Sequence, residues 1–523
     1  MEDTWKARKN LTLTLGLRYD DSGNPWSRND TTVFGNFYFG TGTTKQQQIA
    51  NGYAKATHNA LLHSVNNLFS PRVGVAWDPT GRGDWAIRGG FGIYNNWLTQ
   101  ANVQEEFRGS PPGLVLPTFV AGGTATADAP IFALGTGSKP PFGFTFPTFQ
   151  GGLNAQGGVP GTGFAIGGIN PLLKSPKSNI WSATVERRLG NNFAASVGYA
   201  GSHSYDMVDN GNANGIVSYG VDINNFPGDL IQNETTVPTR LNPSFGSITY
   251  SDNTRYANYH SVFFDVRGHF SRGFVDASYT RSRSRDDAQA YPDPLNPSRF
   301  YGPSLQDAPN RFSLSFNYQL KGLNDGKGAI GVATGGWGIS GTSIFQSGYP
   351  FTVDTNASYK PICGDTSSTA APCPSALNPA VGFAPGSGDY NADGVTGIST
   401  NPTFGLDYPD VGGYSQKDTR TAFLNGVFSP GQFATPAFSP NGAEGNEKHN
   451  QFRGPNFAET DINFYKDTRI TERINFQFRF EVFNLFNRAN LSTMDFHLGD
   501  GNFGKATQAR IPRYWQLGGK ISF

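Results

Sequence analysis

Apolar and polar residues alternate with a period of two along much of this chain. In NLTLTLGLRYD, Leu11, Leu13, Leu15, Leu17 and Tyr19 fall on one side, and Thr12, Thr14, Gly16, Arg18 and Asp20 on the other. SPRVGVAWDP sets Val73, Val75 and Trp77 against Arg72, Gly74 and Asp78. DWAIRGGFGIY sets Trp85, Ile87, Phe91 and Ile93 against Asp84, Arg88 and Gly90. RFSLSFNYQL and INFQFRFEVF repeat the pattern, with Phe312, Leu314 and Phe316 opposing Arg311, Ser313 and Ser315, and Phe476, Phe478, Phe480 and Val482 opposing Gln477, Arg479 and Glu481. Such alternation predicts strands with one apolar and one polar face. About 12 are predicted, over residues 11–20, 68–78, 85–95, 178–189, 193–202, 258–270, 273–284, 310–320, 336–347, 456–466, 473–487 and 511–523.

A soluble sandwich would alternate too. Three features favour an antiparallel transmembrane β-barrel. The strands run roughly 9 to 13 residues, longer than the usual five or six and suited to a tilted membrane crossing. Aromatics sit at strand ends (Tyr19, Trp77, Trp85, Tyr94, Trp181, Tyr199, Tyr279, Trp337, Trp515), where girdles meet the membrane interface. Connections alternate in length. The short ones are WKARKN, PTGRGD, LGNN, SRG, a longer link around 321–336, and DTRITE. The long ones cover about 21–67, 96–177, 203–257, 285–309, 348–455 and 488–510. Barrels of outer membranes sort their loops this way, with short periplasmic turns and long extracellular loops. The whole of 1–523 is therefore expected to be one barrel unit. The final strand ends on Trp515, Leu517, Gly519, Ile521 and Phe523, which resembles the terminal signal that bacterial barrel-assembly machinery reads.

Composition agrees. Hydrophobic residues make up 37% and charged residues 15%, while 66 glycines and 14% aromatics fill the remainder, as suits many strands joined by turns. The net charge of +1 gives no reason to expect a nucleic-acid partner. No window of 18 apolar residues predicts a transmembrane helix, and MEDTWKARKN is not patterned as a signal peptide.

Seven ordered stretches resemble the barrel of Oar-like TonB-dependent outer-membrane receptors. They are NLTLTLGLRYD, FSPRVGVAWDPTGRGDWAIRGGFGIY, WSATVERRLGNNFAASVGYAGSHS, NYHSVFFDVRGHFSRGFVDASYTRSRSRDD, DAPNRFSLSFNYQL, GGWGISGTSIFQSGYPFTV and FRGPNFAETDINFYKDTRITERINFQFRFEVFNLFNRANL. The resemblance implies a Gram-negative outer-membrane location, with outer-membrane lipid, the barrel-assembly machinery, TonB and an unidentified ligand as partners. It also implies a plug and a regulatory-like domain ahead of the barrel. Neither is recognised in these residues, so the expectation is a C-terminal barrel portion that reaches TonB through a missing N-terminal part. Polar inward residues Arg18, Arg88, Glu186, Arg267, Arg311, Arg479 and Glu481 are expected to line the lumen. The alternatives are a soluble or surface-anchored β-rich adhesin and a passive pore.

Catalytic patterns are sparse, and no enzyme activity is expected. Seven scattered histidines show no paired ligand spacing. GDGNFGKA (499–506) comes close to a P-loop, but Ala506 stands where Ser or Thr should hold magnesium, and a strand follows where a helix should. RSRSRDD (281–287) reads as a solvated strand end at the outer rim, with anionic lipid headgroups as the second reading. Cys363 and Cys373 lack metal or redox spacing. They are free loop thiols or, in an oxidising compartment, a local disulfide worth at most about 3 kcal/mol, and the disulfide is the expectation. Asp389, Asn391, Asp393 and Gly394 match the first positions of a calcium loop, but Thr400 stands where the bidentate Glu belongs. An Asx-turn is the favoured reading and an external structural calcium the alternative. No other cofactor is expected.

Overall fold

The computed structural model describes residues 2–21, 23, 34–58, 68–96, 153–158, 165–208, 210–213, 216–219, 221–224, 241–246, 248–287, 301–323, 328–353, 408–413, 415–429, 431–434, 445–498 and 500–523. Thirteen strands form one antiparallel wall: β1 (Glu2–Arg8), β2 (Leu11–Asp20), β3 (Leu68–Trp77), β4 (Trp85–Asn95), β5 (Lys177–Leu189), β6 (Phe193–Met207), β7 (Arg255–Phe270), β8 (Gly273–Asp286), β9 (Asn310–Gln319), β10 (Trp337–Gln346), β11 (Phe457–Arg469), β12 (Asn475–Phe483) and β13 (Tyr514–Ser522). Each pairs with its sequence neighbour, and a short strand at Gly302–Pro303 pairs with β8 to make a sheet of 14 strands.

Directly opposed residues in an antiparallel pair share a face. The register carries one apolar row across nine strands: Leu11, Trp77, Ile87, Val185, Val197, Phe264, Tyr279, Phe312 and Phe345. On the other face, Glu186, Ser196, Asp265, Ser278 and Ser313 form a polar row over five strands. The alternation read from sequence thus holds in three dimensions. Much of the apolar face is exposed rather than packed: Leu15 is 58% and Phe264 50% accessible.

Turns at one end are tight because their residues allow it. In the β3–β4 turn the Asp78 carboxylate accepts the amide of Gly83 at 2.7 Å and that of Thr80 at 3.0 Å. Those bonds, Gly83 first, hold its pKa below the ordinary value. Gly81 and Gly83 adopt φ of 68° and 75°, which side chains resist.

Three expectations are corrected. WKARKN is not a six-residue link: β1 pairs with β2 as far as Arg8, leaving Lys9–Asn10 as the turn. Its alternation is hidden because Trp5 is the only large apolar residue among the charged ones. Tyr94 is not a girdle residue. The register puts Ile93 on the apolar face and Tyr94 opposite, where the Arg72 guanidinium lies 4.6 Å from its ring. The wall also continues past the apolar band, so β6 reaches Met207 and β7 begins at Arg255, inside the span read as loop 203–257. The sheet is an open path from β1 to β13, and among the described residues these two strands do not pair.

Candidate functional site

The end of the wall with long connections carries two compact caps. The first packs Phe37, Ile49, Ala54, Ile166, Ile223, Phe245, Ile248 and Tyr250 into a buried core. Its hairpin (Phe34–Tyr38 and Tyr53–Thr57) encloses α1 (Lys45–Ala50), whose N-terminus is capped by Thr44 accepting the Gln47 amide at 3.2 Å. Buried asparagines join its loops. Asn36 accepts from the Ile169 amide at 2.7 Å and donates to the Ile169 carbonyl at 3.0 Å, and Asn242 donates to the carbonyls of Ile49 and Gly52, each at 3.0 Å. The second cap gathers Phe351, Val353, Val411, Phe423, Val427, Phe452 and Met494, with Phe428, Phe433 and Phe503 stacked against them.

A buried polar junction fastens the second cap to the wall. Arg453 forms an ion pair with the buried Asp307 and donates to the carbonyls of Asp307 at 2.8 Å and Gly348 at 3.2 Å. Asp307 in turn accepts the Ser284 amide of β8 at 2.7 Å. Asn450 donates to the Pro303 carbonyl at 2.7 Å, and the Glu447 carboxylate accepts the Val353 amide at 2.7 Å. Beside them, burial lowers the His449 pKa to about 4. Its ring stays neutral, with Nε2 accepting from Asn450 at 2.8 Å and Nδ1 facing the Tyr408 hydroxyl at 3.3 Å. Desolvation raises the Asp287 carboxyl to about 6, although it accepts the Tyr256 amide at 2.8 Å.

Where wall and second cap meet, a cavity of about 520 Å³ opens. From the polar face of the wall come Arg311, Gln346 and Phe457; from the cap come Tyr349, Met494 and Phe496. Arg311 donates to Gln346 Oε1 at 2.8 Å, and the Arg510 guanidinium lies 4.9 Å from the Phe457 ring. The mouth is thus cationic and aromatic.

The seven polar wall residues named from sequence share this face but do not converge. Arg18 pairs with Asp20 at 2.7 Å, Arg88 with Glu186 at 3.3 Å, and Arg479 with Glu481 at 3.5 Å. Arg267 stands opposite Asp276 beside a wall hollow of about 470 Å³, and only Arg311 reaches the mouth. Trp515, Leu517, Gly519 and Ile521 lie on the apolar face, opposite Val482, Phe480, Phe478 and Phe476, while Phe523 follows β13 fully exposed. Residues 500–505 of the P-loop-like stretch lie in turns and bends ahead of the short strand Ala506–Ala509, which pairs with Leu491–Met494. Cys363, Cys373, Asp389, Asn391 and Asp393 lie outside the described residues. Sequence reading missed Arg510, Tyr349, Phe457 and the whole junction; their one local signal is the aromatic density of GYPFTV and FRGPNF.

Solved structures that match this chain include the outer membrane transporter YddB from Escherichia coli, at 9% identity and a TM-score of 0.42 over 99% of this chain and 43% of that one. Another is the Pseudomonas aeruginosa ferripyoverdine receptor bound to ferripyoverdine, at 10% and 0.37 over 100% and 37%. A third is the FrpB iron transporter from Neisseria meningitidis, at 11% and 0.40 over 100% and 44%. The chain spans less than half the length of each. A search of curated proteins finds no match. The family model described as an outer membrane beta barrel domain matches residues 1–516, in keeping with the lipid-ready apolar face of the wall, and the chain belongs to that family of the outer membrane.

Proposed function

We propose that this chain forms the wall and mouth of a receptor that captures a ligand at the cell surface for TonB-energised transport. The observation that carries this reading is the mouth cavity. Its volume of about 520 Å³ falls in the range of small-molecule sites, and its lining combines Arg311 and Arg510 with Tyr349, Phe457 and Phe496. Two guanidinium groups beside aromatic surfaces suit a small anionic ligand with a flat, unsaturated part.

In this reading the apolar face meets lipid and the long connections face outward. Arg18, Arg88, Glu186, Arg267, Arg311, Arg479 and Glu481 line the lumen or contact a plug. TonB acts through a segment outside these residues, and the β13 residues are read by the assembly machinery. The ordered motifs support the Oar-like subtype. Enzymatic chemistry has no role.

The test is ligand-observed NMR on the folded chain in detergent, with 2,3-dihydroxybenzoate as an anionic aromatic probe and catechol as its neutral counterpart. The carboxylate should bind and catechol should not, and Arg311→Ala with Arg510→Ala should weaken binding at least fivefold. Equal binding of both probes, or an unaffected double variant, overturns the reading. Steady conductance in planar bilayers without ligand would favour a passive pore.

A further inference from the structure

The register places three arginines on the face meant for lipid. In RSRSRD, Arg281 opposes Val262, Arg283 opposes His260 and Arg285 opposes Asn258, so all three share the face of Phe264 and Val266. Their intervening serines, Ser282 and Ser284, turn the other way and bond to the 304–308 segment. A cation on this face costs about 2–4 kcal/mol at the midplane but only about 0–1 near the interface.

Height resolves the conflict. At about 3.3 Å per residue and a tilt of about 45°, Arg281, Arg283 and Arg285 stand roughly 19, 23 and 28 Å above Gly273. The apolar band is about 25 Å tall, so Arg285 stands above it, while Arg281 and Arg283 stand in its upper part and extend their long side chains toward the headgroup layer at the long-loop end.

Among the described residues, no acidic residue faces the cluster across the register. The residues facing it across the register are Val262, His260 and Asn258 on β7, Asn310 on β9 and Pro303, none of them acidic. Arg281 is oriented by Asn310 at 3.1 Å, and Arg285 lies 4.5 Å from the Tyr301 ring and bonds the Tyr301 carbonyl at 3.2 Å. The three line a cavity of about 580 Å³ with Tyr199 and His260, bordered by the junction residues Asn450 and Arg453. Asp307, the one carboxylate on its lining, is buried and already paired with Arg453. Basic residues at the opposite rim look different: Arg187 and Lys466 each sit over a tryptophan, at 4.8 and 5.3 Å.

We propose that Arg281, Arg283 and Arg285 form a binding site for a phosphorylated lipid headgroup of the outer leaflet. Guanidinium groups two residues apart repeat every 6–7 Å or so along the strand, a spacing that lets adjacent arginines engage one phosphate and the row engage two. Tyr199 and His260, joined at 2.7 Å, close the side of the site. The inference rests on the outward orientation of the long connections proposed above.

The experiment uses native mass spectrometry of the full chain folded in detergent, with bis-phosphorylated lipid A, its dephosphorylated form and inorganic phosphate as probes. Wild type should retain the bis-phosphorylated lipid at least tenfold more than the dephosphorylated one. R281Q/R283Q should lose that preference, whereas R281K/R283K should keep part of it and R267Q, on the opposite face, all of it. Heat-modifiable migration on gels confirms that each variant is folded. Equal retention of both lipids, retention by R281Q/R283Q, or full competition by millimolar inorganic phosphate overturns the proposal. Labelling a cysteine placed at exposed Lys448 on intact cells reports the orientation separately, so failure of the site and failure of the orientation are told apart.

Discussion

The wall and its caps obey opposite rules. Along β2–β13 the large apolar side chains point away from the protein's own atoms, while in the caps they are sealed in: Leu15 is 58% accessible and Phe452 0%. Nearly every fully buried large side chain, from Phe37 and Ile49 to Tyr408 and Phe452, belongs to the connections and not to the strands of the wall. The wall is held by backbone ladders and awaits a lipid solvent; the caps are miniature soluble cores held by burial in water. One chain thus carries two solvation schemes, divided at the membrane interface.

That division can be broken on either side. The largest effect is expected in the cap, where Phe452→Ala removes a ring packed against Phe428 and Phe433 and should cost about 3–5 kcal/mol of cap stability. Limited proteolysis should cut the cap while the gel mobility of the folded wall is unchanged; joint loss would show that the two are one cooperative unit. Next is Phe264→Arg on the apolar face, expected to destabilise insertion by about 2–4 kcal/mol in urea titrations with lipid vesicles. Ser278→Arg, on the opposite face of the neighbouring strand, should cost far less, and equal costs would refute the two-faced wall.

The smallest effect concerns the junction. Asp287, raised to about 6, contributes stability that is complete below pH 3.8 and is lost as pH rises through 6. His449, lowered to about 4, contributes stability that is complete above pH 6.5 and is lost as pH falls through 4. The two slopes oppose each other between about pH 4 and 6, so hydrogen exchange at the junction should be nearly flat there in wild type. Asp287→Asn should leave protection rising with pH, and His449→Gln should leave it falling. Unchanged profiles in both would discard the linkage.

The wall was legible in the sequence because a period of two is local: Leu13 and Leu15 suffice to reveal a face. Where the local signal thins, as in EDTWKAR with its single large apolar residue, the reach of the strand toward its turn was hidden. The caps have no such period. Phe37 meets Phe245 and Tyr250, and Phe351 meets Phe496, across intervening wall strands, so nothing near either residue in sequence announces its partner. The candidate mouth was half legible for the same reason. Arg311 was visible from its place on a polar face, but Arg510 and Met494 reach the cavity only through the folded second cap.

The reach of the caps across the wall has a consequence for assembly. The first cap unites segments from the connections after β2, β4 and β6, and the second unites those after β10 and β12. Neither core can collapse until the strands between its segments stand in register, because the loop-closure cost of meeting earlier has no compensating contacts. With the long connections facing outward, as proposed above, they are expected to cross the bilayer as unfolded chain and to condense on arrival. Each condensed cap is then expected to act as a ratchet that opposes return of its strands through the bilayer.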